Sequence, residues 1–524
     1  MQNRNIVEII KKIFSCKTED ILELKPAKKG MTNDSFIFKI DTKRYILRLP
    51  GNGTNKLINR QQEFISYQLA NSHDISDNIV YMEPSSGIKV TEYIENARNC
   101  DPFSKYEVSL CMDKLKQMHK LNLQVEHKFD LLQKINYYEK LRNAKSKYKD
   151  YDTVKQSILT LIEFVDSLDK QYCLSHIDAV HDNFLLDEYD NVKIIDWEYS
   201  GMQDPHIDIA MFAVYAGYNH EQLNELIDIY FKNDVTDELI IKIYAYVAIV
   251  GFMWSNWCEY KAQYGFDFEE YAQSQWNYAI TYAPIVLEYI SKRVETAIIV
   301  AAGKGVRLGI YTTETPKPLI KVHGRPIIEK EIEALIARGI KDINIVVGYK
   351  KEQFEYLKDK YKVSLIYNPD FDKANNISSL YYARHKFINK NTIIMDGDLL
   401  FSSPSIIKQT IPYSCYSAFW TEETKEWALY LNNMGKIIGC NRDGGKDCLE
   451  LKSVSYWTRT DATLLSNLIA QVYKQQKRTD VYWDDVPMFI HFDKFNLFVH
   501  HIDDGDIIEI DTVEDLQTID KSYK

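Results

Sequence analysis

Residues 175–183 read SHIDAVHDN and residues 194–198 read IIDWE, and these two stretches decide how the first half of the chain folds. Transfer of a phosphoryl group to an alcohol needs a base beside the hydroxyl and oxygen ligands for magnesium. Asp178 can accept the hydroxyl proton, and Asn183, five residues later, can hold the metal. Asp196 ends the apolar run VKIID and is placed to be the second metal ligand.

These stretches, in this order and at this separation, closely resemble the HxD…N and IDxE motifs of the aminoglycoside phosphotransferase and choline kinase superfamily. The surrounding sequence has the matching order of elements. Short alternating runs such as SFIFKI fill residues 21–95, and helical periodicity dominates on both sides of the two loops. The resemblance implies an α+β, protein-kinase-like, two-lobed domain at 1–293, with a small lobe at about 1–95 and a large lobe at about 96–293.

The same resemblance assigns residues to ATP. KGMTN at 29–33 is similar to the family's phosphate-covering loop, although Lys29 stands where the family has its first glycine. Arg48 takes the strand position of a phosphate-contacting base, with Glu63 on the next helix as its expected partner. The nucleotide-binding set implied for this half comprises Gly30, Thr32, Asn33, Arg48, Glu63 and, at the hinge to the adenine, Glu92.

Aromatic residues suggest the acceptor substrate. Trp254 and Trp257 are three residues apart on one face of a helix, and Tyr199 follows the second loop. A quaternary ammonium cannot donate a hydrogen bond, so proteins hold it with aromatic faces and nearby carboxylates. The choline and ethanolamine kinases that this half resembles carry a similar tryptophan pair, so we expect these three residues to bind the substrate. The alternative is that the paired tryptophans fill a helical core.

At Thr296 the pattern changes to short apolar strands, including AIIVAAG and TIIMDGD, separated by helical stretches. This rhythm predicts an α/β domain with a mostly parallel sheet at 294–524. AAGKGVR at 301–307 leaves a strand and should enter a helix, so its backbone N–H groups can wrap a triphosphate. TPKPL follows at 315–319. The residues expected to bind the nucleotide are Ala302, Gly303 and Gly305, and the cations expected to stabilise the leaving pyrophosphate are Arg307 and Lys317.

Carboxylates for a second magnesium site lie at the ends of two apolar strands. IIMDGDLLF offers Asp396 and Asp398, and IIEIDTVEDL offers Glu509 and Asp511; we expect Asp398, Glu509 and Asp511 to hold the metal. Each could instead cap a strand-to-helix turn. A general base is not required here if the attacking group is a phosphate monoester, because such a group is already mostly ionised near neutral pH.

This half closely resembles the bacterial CTP:phosphocholine cytidylyltransferases, which are Rossmann-like nucleotidyltransferases, along nearly its whole length. The matching stretches include VVGYKKEQF, EWALYL and YWDDVPM. The resemblance alone implies CTP as the nucleotide. It also implies that the trimethylammonium head would be surrounded by Trp427, Tyr482 and Trp483, with Asp484 offsetting its charge, although each aromatic could equally belong to a core.

Composition excludes other classes of function. The formal charge of −11 argues against a surface that binds nucleic acid. Eight scattered cysteines fit reduced thiols, the amino terminus lacks a signal-peptide core, and the longest apolar stretch, Ile243 to Trp254, predicts a buried helix rather than a membrane span. We therefore expect a cytoplasmic protein with no membrane insertion.

The sequence favours a bifunctional enzyme that phosphorylates choline with ATP and then converts phosphocholine and CTP to CDP-choline. Three alternatives stay open at this point. The substrate could be ethanolamine or an aminoethylphosphonate, the two halves could act on a sugar, or one half could be a binding module without activity. The sequence does not indicate the oligomeric state, or whether the intermediate passes directly between the sites.

Overall fold

The computed structural model describes residues 2–27, 33–51, 58–265 and 267–523. The chain divides into two compact units with the bounds Met1–Glu288 and Tyr289–Lys524. The first has a small sheet lobe followed by a helical lobe, and the second has a central sheet with helices. These are the kinase-like and nucleotidyltransferase-like folds that the sequence predicts, and each unit is described by itself below.

The small lobe is built on an antiparallel sheet of five strands in the order β1-β2-β3-β5-β4. Alternation along the strands puts Phe38, Leu47 and Val90 on one buried face, where they pack with Ile6 and Ile10 of helix α1. The elements are α1 (Gln2–Phe14), β1 (Leu22–Pro26), β2 (Asn33–Ile40), β3 (Lys43–Pro50), α2 (Arg60–Ser72), β4 (Ile79–Glu83) and β5 (Ile88–Glu92).

In the large lobe, short strands hold the two loops that carry the sequence motifs. Strand β7 pairs with β10 and ends three residues before Asp178, while the β6-β8-β9 sheet puts Asn183 just before β8 and Asp196 just after β9. The strands are β6 (Arg98–Asn99), β7 (Cys173–Ser175), β8 (Phe184–Leu186), β9 (Val192–Ile194) and β10 (Gly201–Gln203).

Helices surround these strands, and several start at a side chain that accepts a backbone N–H, as Ser104, Asp130 and Thr236 do. Helix α8 is long and apolar enough to cross a membrane, yet most of it is buried in the unit, as the sequence predicts for Ile243 to Trp254. The helices are α3 (Lys105–Lys120), α4 (Leu131–Arg142), α5 (Tyr151–Ser167), α6 (His206–Ala216), α7 (His220–Phe231), α8 (Asp237–Ala262) and α9 (Glu269–Lys292).

The second unit is organised by a largely parallel sheet in the order β15-β14-β11-β16-β21-β18-β22. Strands β11, β14 and β16 are mostly apolar runs, because both faces of this sheet are buried. The strands on this path are β11 (Thr296–Ala301), β14 (Asp342–Val347), β15 (Ser364–Tyr367), β16 (Thr392–Asp396), β18 (Cys415–Thr424), β21 (Gly445–Trp457) and β22 (Phe498–His501).

A two-stranded ladder of β17 with β23 joins the two segments from which metal ligands are expected, and it aligns Leu399 with Glu509. The other strands are β12 (Lys321–Val322), β13 (Arg325–Pro326), β17 (Leu399–Phe401), β19 (Ala428–Leu431), β20 (Ile437–Asn441) and β23 (Ile507–Glu509). The helices are α10 (Ile327–Ala337), α11 (Tyr356–Tyr361), α12 (Ile377–Ala383), α13 (Arg459–Ala470) and α14 (Val513–Ile519).

Candidate active sites

In the first unit, Asp178 and Asn183 meet in one loop. The amide of Asn183 donates to the backbone oxygen of Asp178 at 2.8 Å and to its carboxylate at 3.2 Å. Burial raises the pKa of the Asp178 carboxyl to about 7, and the charge of Asp196 raises it further against this amide donor. A carboxylate with a pKa near neutrality suits the acceptance of a proton from an alcohol.

Asp208 holds the strand that leads into this loop, and the sequence analysis did not single it out. Its carboxylate accepts the backbone N–H groups of His176 at 2.9 Å and Ile177 at 2.7 Å, and Ile177 has a φ of 69°. His119 Nε2 lies 3.0 Å from the same carboxylate. The left-handed backbone at a β-branched residue is costly, so the two hydrogen bonds that one buried carboxylate accepts help to fix it.

Asp196 faces the small lobe and contacts Arg48. Arg48 Nη1 lies 3.2 Å from Asp196 Oδ2, while Asp196 Oδ1 is buried and lacks a hydrogen-bond partner among the described residues. Burial alone would raise the pKa of Asp196, but Arg48 and Lys89 lower it. An ionised carboxylate with one unsatisfied oxygen, close to the Asn183 loop, fits a magnesium ligand.

The expected pairing of Glu63 with Arg48 is wrong. Glu63 is 3% exposed and pairs instead with Lys89 Nζ at 3.0 Å and Arg60 Nη1 at 2.7 Å. Lys89 is on β5, beside the strand of Arg48, and both cations point toward the same acidic region. Glu63 thus stabilises Lys89, which leaves Arg48 for Asp196.

Several residues expected to hold ATP are only partly described. Gly30 and Thr32 lie outside the described residues, and so does the side chain of Asn33, whose backbone begins β2. The Glu92 carboxylate accepts from Lys43 Nζ at 2.9 Å and Asn78 Nδ2 at 3.1 Å. Its side chain is therefore engaged within the small lobe.

The structure brings the three predicted aromatic residues together. Tyr199 and Trp254 meet edge to face with ring centroids 5.5 Å apart, and Trp254 meets Trp257 in the same way at 5.9 Å. Tyr138 on α4 adds a fourth ring, 6.3 Å from Trp254. The charge of Asp178 contributes to the raised pKa of both Tyr138 and Tyr199, after burial, so these rings lie near the expected base. A cavity of about 820 Å³ opens beside Tyr199.

In the second unit, the glycine-rich loop is shaped by its contact with the TPKPL segment. Gly305 has a φ of 61°, and a Cβ there would lie 2.7 Å from the Cβ of Lys317. Only glycine suits both requirements. Ala302 directly follows β11, and its backbone oxygen accepts the N–H of Tyr349. A Cβ at Gly303 would meet open space. The loop is therefore open at Gly303 and held close to Lys317 at Gly305.

The side chains of Lys317 and Arg307 pair with carboxylates that follow strands β16 and β23. Lys317 Nζ forms ion pairs with Asp398 and, at 2.7 Å, with Asp511 Oδ1; Arg307 Nη2 lies 2.9 Å from the same oxygen. Burial would lower the pKa of Lys317, but Asp398 and Asp511 raise it. Lys317 is buried, while the side chain of Arg307 is exposed and able to reach a ligand.

Three acidic side chains converge beside Lys317. Oxygens of Asp396, Asp398 and Glu509 all lie within 4.8 Å of one another. Burial raises the pKa of all three carboxyls, that of Glu509 to about 8. The charge of Asp398 adds to this at Asp396 and Glu509, whereas Lys317 opposes it at Asp398. Asp398 Oδ1 is buried and unpaired in the part of the chain that the structure describes. A divalent cation would relieve both the repulsion and the unpaired oxygen, so the residues fit magnesium.

Two of the aromatic residues expected around the ammonium head meet in the structure. Trp427 and Tyr482 are edge to face at 6.2 Å, and Phe489 lies 5.6 Å from Trp427. The guanidinium of Arg442 lies over Phe489 at 4.4 Å and over Trp427 at 5.4 Å, and it pairs with Asp485. Sequence reasoning missed Phe489 and Arg442, since neither stands in a recognised motif.

Asp484 and Trp483 face the interior beside this cluster. The Trp483 ring stacks on Tyr416 at 6.3 Å and contacts Trp457 within the main core, against which Trp427 also packs. Asp484 accepts from the Tyr416 hydroxyl at 2.9 Å. Burial raises the pKa of its carboxyl to about 7, against the Tyr416 hydrogen bond. Of the three aromatic residues predicted from sequence to surround the ammonium head, Trp483 is the one whose side chain is buried in the core.

Two families match the chain, one in each half. The family described as choline/ethanolamine kinase matches residues 24–280, and the family described as MobA-like NTP transferase domain matches residues 297–431. These matches agree with the two units of the fold.

Individual relatives match one half each. A 2-aminoethylphosphonate cytidylyltransferase of Lancefieldella rimae is 37% identical over 229 residues, which cover 43% of this chain and 92% of the relative. A choline-phosphate cytidylyltransferase of Streptococcus pneumoniae is 34% identical over 229 residues, covering 44% of this chain and 98% of the relative. The choline kinase LicA from Streptococcus pneumoniae, known from a crystal structure, is 29% identical in sequence. The match covers 54% of this chain and 99% of the LicA chain, with a TM-score of 0.48.

Proposed function

This chain belongs to the choline/ethanolamine kinase family in its first half and to the MobA-like NTP transferases in its second, and we propose that it makes CDP-choline from choline in two steps. The first half, at 1–293, would phosphorylate choline with ATP. The second half, at 294–524, would couple phosphocholine to CTP and release pyrophosphate. The observation that carries the proposal is that one chain holds two separate sets of acidic and basic residues suited to phosphates, around Asp178 and around Lys317.

In the kinase step, the choline hydroxyl would give its proton to Asp178 as its oxygen attacks the γ-phosphorus and ADP leaves. Asn183 and Asp196 would hold magnesium, which neutralises phosphate charge when bound. Arg48 would contact a phosphate from the opposite side, since its guanidinium already reaches the carboxylate of Asp196. Asp208 would keep the loop in place through the backbone of His176 and Ile177.

In the cytidylyl step, a phosphocholine oxygen would attack the α-phosphorus of CTP, and pyrophosphate would leave. Lys317 and Arg307 would offset the charge that develops on the departing pyrophosphate. Asp398 and Glu509, with Asp396 beside them, would hold the metal. Asp511, the third expected ligand, pairs with Lys317 and Arg307 and would join them from that side. The glycine-rich loop would bind the triphosphate through the backbone of Ala302, Gly303 and Gly305.

The choice of choline rests on the aromatic residues and on the presence of a kinase half. Buried rings at Tyr199, Trp254 and Trp257 suit a group that carries positive charge without hydrogen-bond donors. An aminoethylphosphonate, the substrate in the name of one relative, already carries its phosphonate and offers no hydroxyl for a kinase. The fused kinase half therefore favours an amino alcohol, with ethanolamine as the second candidate. We place the enzyme in the cytoplasm, where ATP and CTP are available.

A product assay tests this proposal. Purified protein with ATP, CTP and magnesium would be offered choline, ethanolamine, 2-aminoethylphosphonate or a hexose in separate reactions. We expect CDP-choline from choline, and phosphocholine alone when CTP is left out. If a CDP-linked product forms only from 2-aminoethylphosphonate, choline is not the substrate. If only the hexose is turned over, the proposal that either half acts on choline is wrong.

A further inference from the structure

Glu331 lies beneath the acidic cluster of the second unit, on helix α10, and is fully buried. Its Oε1 accepts the backbone N–H of Leu399 at 2.7 Å, whereas its Oε2 is buried with no partner among the described residues. Burial raises the pKa of this carboxyl well above its usual range; the Leu399 N–H opposes this, while Asp398 and Asp396 add to it. A buried acid that makes one hydrogen bond, to a backbone group, needs a reason for its place in a core.

Leu399 connects two of the expected metal ligands. It directly follows Asp398 in sequence, and it is aligned with Glu509 across the β17–β23 ladder. That ladder has two strands, so the N–H on the edge of β17 away from β23 needs an acceptor from elsewhere. Glu331 supplies this acceptor from α10, which packs against β17.

We propose that Glu331 is a positioning residue for the metal site of the cytidylyltransferase half: by fixing the N–H of Leu399, it holds Asp398 and Glu509 at one distance from each other. This inference rests on the proposed function of that half. Glu331 does not need to touch the metal or the substrate. Groups that orient metal ligands in this way commonly contribute about 10- to 100-fold to metal affinity.

The test compares Glu331→Leu, which removes the acceptor, with Glu331→Gln, which keeps an oxygen at the same place. Glu329→Leu is the matched control, because Glu329 is on the same helix and pairs with Lys360 instead of Leu399. All variants are full-length chains and also carry Asp196→Asn, which removes a proposed metal ligand of the other half. Mn²⁺ binding in the presence of CTP is measured by electron paramagnetic resonance, and hydrogen exchange is measured on the peptide that contains Leu399.

We expect Glu331→Leu to weaken Mn²⁺ binding about 10- to 100-fold and to speed exchange at Leu399. Glu331→Gln and Glu329→Leu should both bind within about threefold of the reference protein. Normal Mn²⁺ binding by Glu331→Leu, or a loss with Glu331→Gln as large as with Glu331→Leu, would overturn the inference alone. If the reference protein itself binds no Mn²⁺ with CTP, the proposed metal site fails and the inference fails with it.

Discussion

Arg48 Nη1 lies 3.2 Å from Asp196 Oδ2, and this ion pair joins the sheet lobe of the kinase half to the loop after β9. Arg48 and Asp196 come from parts of the chain almost 150 residues apart, yet both side chains are mostly buried. Nearby Lys89 is neutralised by Glu63, whereas Arg48 pairs with Asp196 and Arg60 reaches Glu198 of the same loop. The two cations on neighbouring strands thus have different partners, Asp196 for Arg48 and Glu63 for Lys89, and the first prediction follows from this difference.

Replacing Arg48 with alanine should lower kcat/KM of the kinase reaction for ATP about 100-fold or more, because one charged group facing the phosphates is lost. Arg44→Ala is the matched control: Arg44 is on the same strand, but it is exposed and pairs with Glu23 and Glu95. Steady-state rates of phosphocholine formation measure the effect. Equal kcat/KM values for the two variants would contradict the role given to Arg48.

Replacing Asp178 with asparagine should reduce kcat for phosphocholine formation about 100- to 10,000-fold, since it removes the proton acceptor and preserves the shape of the loop. CDP-choline formation from added phosphocholine should be unchanged, which reports that the chain still folds. Asp182→Asn is the control, because Asp182 is in the same loop but is about half exposed and accepts from Tyr215. A variant that phosphorylates choline at the normal rate would show that another group takes the proton.

The site residues that could be predicted from sequence are those that stand in motifs, whether their partners are close along the chain or, like Asp398 and Glu509, distant. Asp178 and Asn183 are five residues apart, so one loop fixes both, and Gly305 with Lys317 follows from two adjacent loops. Asp208 and Glu331 gave no such signal. Each acts on a backbone N–H about 30 to 70 residues away, and only the packing of its helix brings it there.

Buried ion pairs and aromatic clusters show the same limit. Arg48 and Lys89 lie opposite each other on β3 and β5, yet Glu63 pairs with Lys89 and Arg60 and not with Arg48. Trp483 and Phe489 are six residues apart, but the chain turns between them, so the former enters the core and the latter joins Trp427. Composition and spacing do not encode which face of a turn meets the core.

Replacing Trp254 with leucine should raise KM for choline about 10- to 30-fold, since a desolvated contact between a cation and an aromatic face contributes about 2 kcal/mol. Loss of packing alone would affect a neutral substrate equally. The decisive measurement is therefore the KM for choline relative to that for its neutral isostere, 3,3-dimethyl-1-butanol. We expect Trp254→Leu to reduce the preference for choline.

Trp276→Leu provides the control for this prediction. Trp276 is buried to a similar extent in the same unit, but its ring stacks on Tyr148 with centroids 4.0 Å apart. Its replacement should lower the free energy of unfolding and leave the preference for choline over the isostere unchanged. If both variants leave that preference as it is in the unchanged protein, Trp254 belongs to the core and the cation is bound elsewhere.

Asp484 should make the cytidylyltransferase half less stable as pH rises. Its pKa is raised by burial from 3.8 to about 7, so its contribution to stability is complete below pH 4 and is lost as pH rises through 7. The interval between 3.8 and about 7 corresponds to about 4 kcal/mol above pH 7. Asp484→Asn cannot ionise and keeps an oxygen for the Tyr416 hydroxyl, so this variant should avoid the cost.

The gain in the free energy of unfolding from Asp484→Asn should therefore be about 2 kcal/mol larger at pH 8.5 than at pH 5.5, as measured by urea unfolding of the second half. Asp493→Asn is the control, because Asp493 is exposed and its replacement should have little effect at either pH. The same Asp484→Asn variant should bind phosphocholine more weakly, since the carboxylate would no longer offset the ammonium charge. A gain in stability that does not change with pH would mean that Asp484 is already ionised in the folded protein at pH 5.5, and the burial of its carboxyl would then carry no pH-dependent cost.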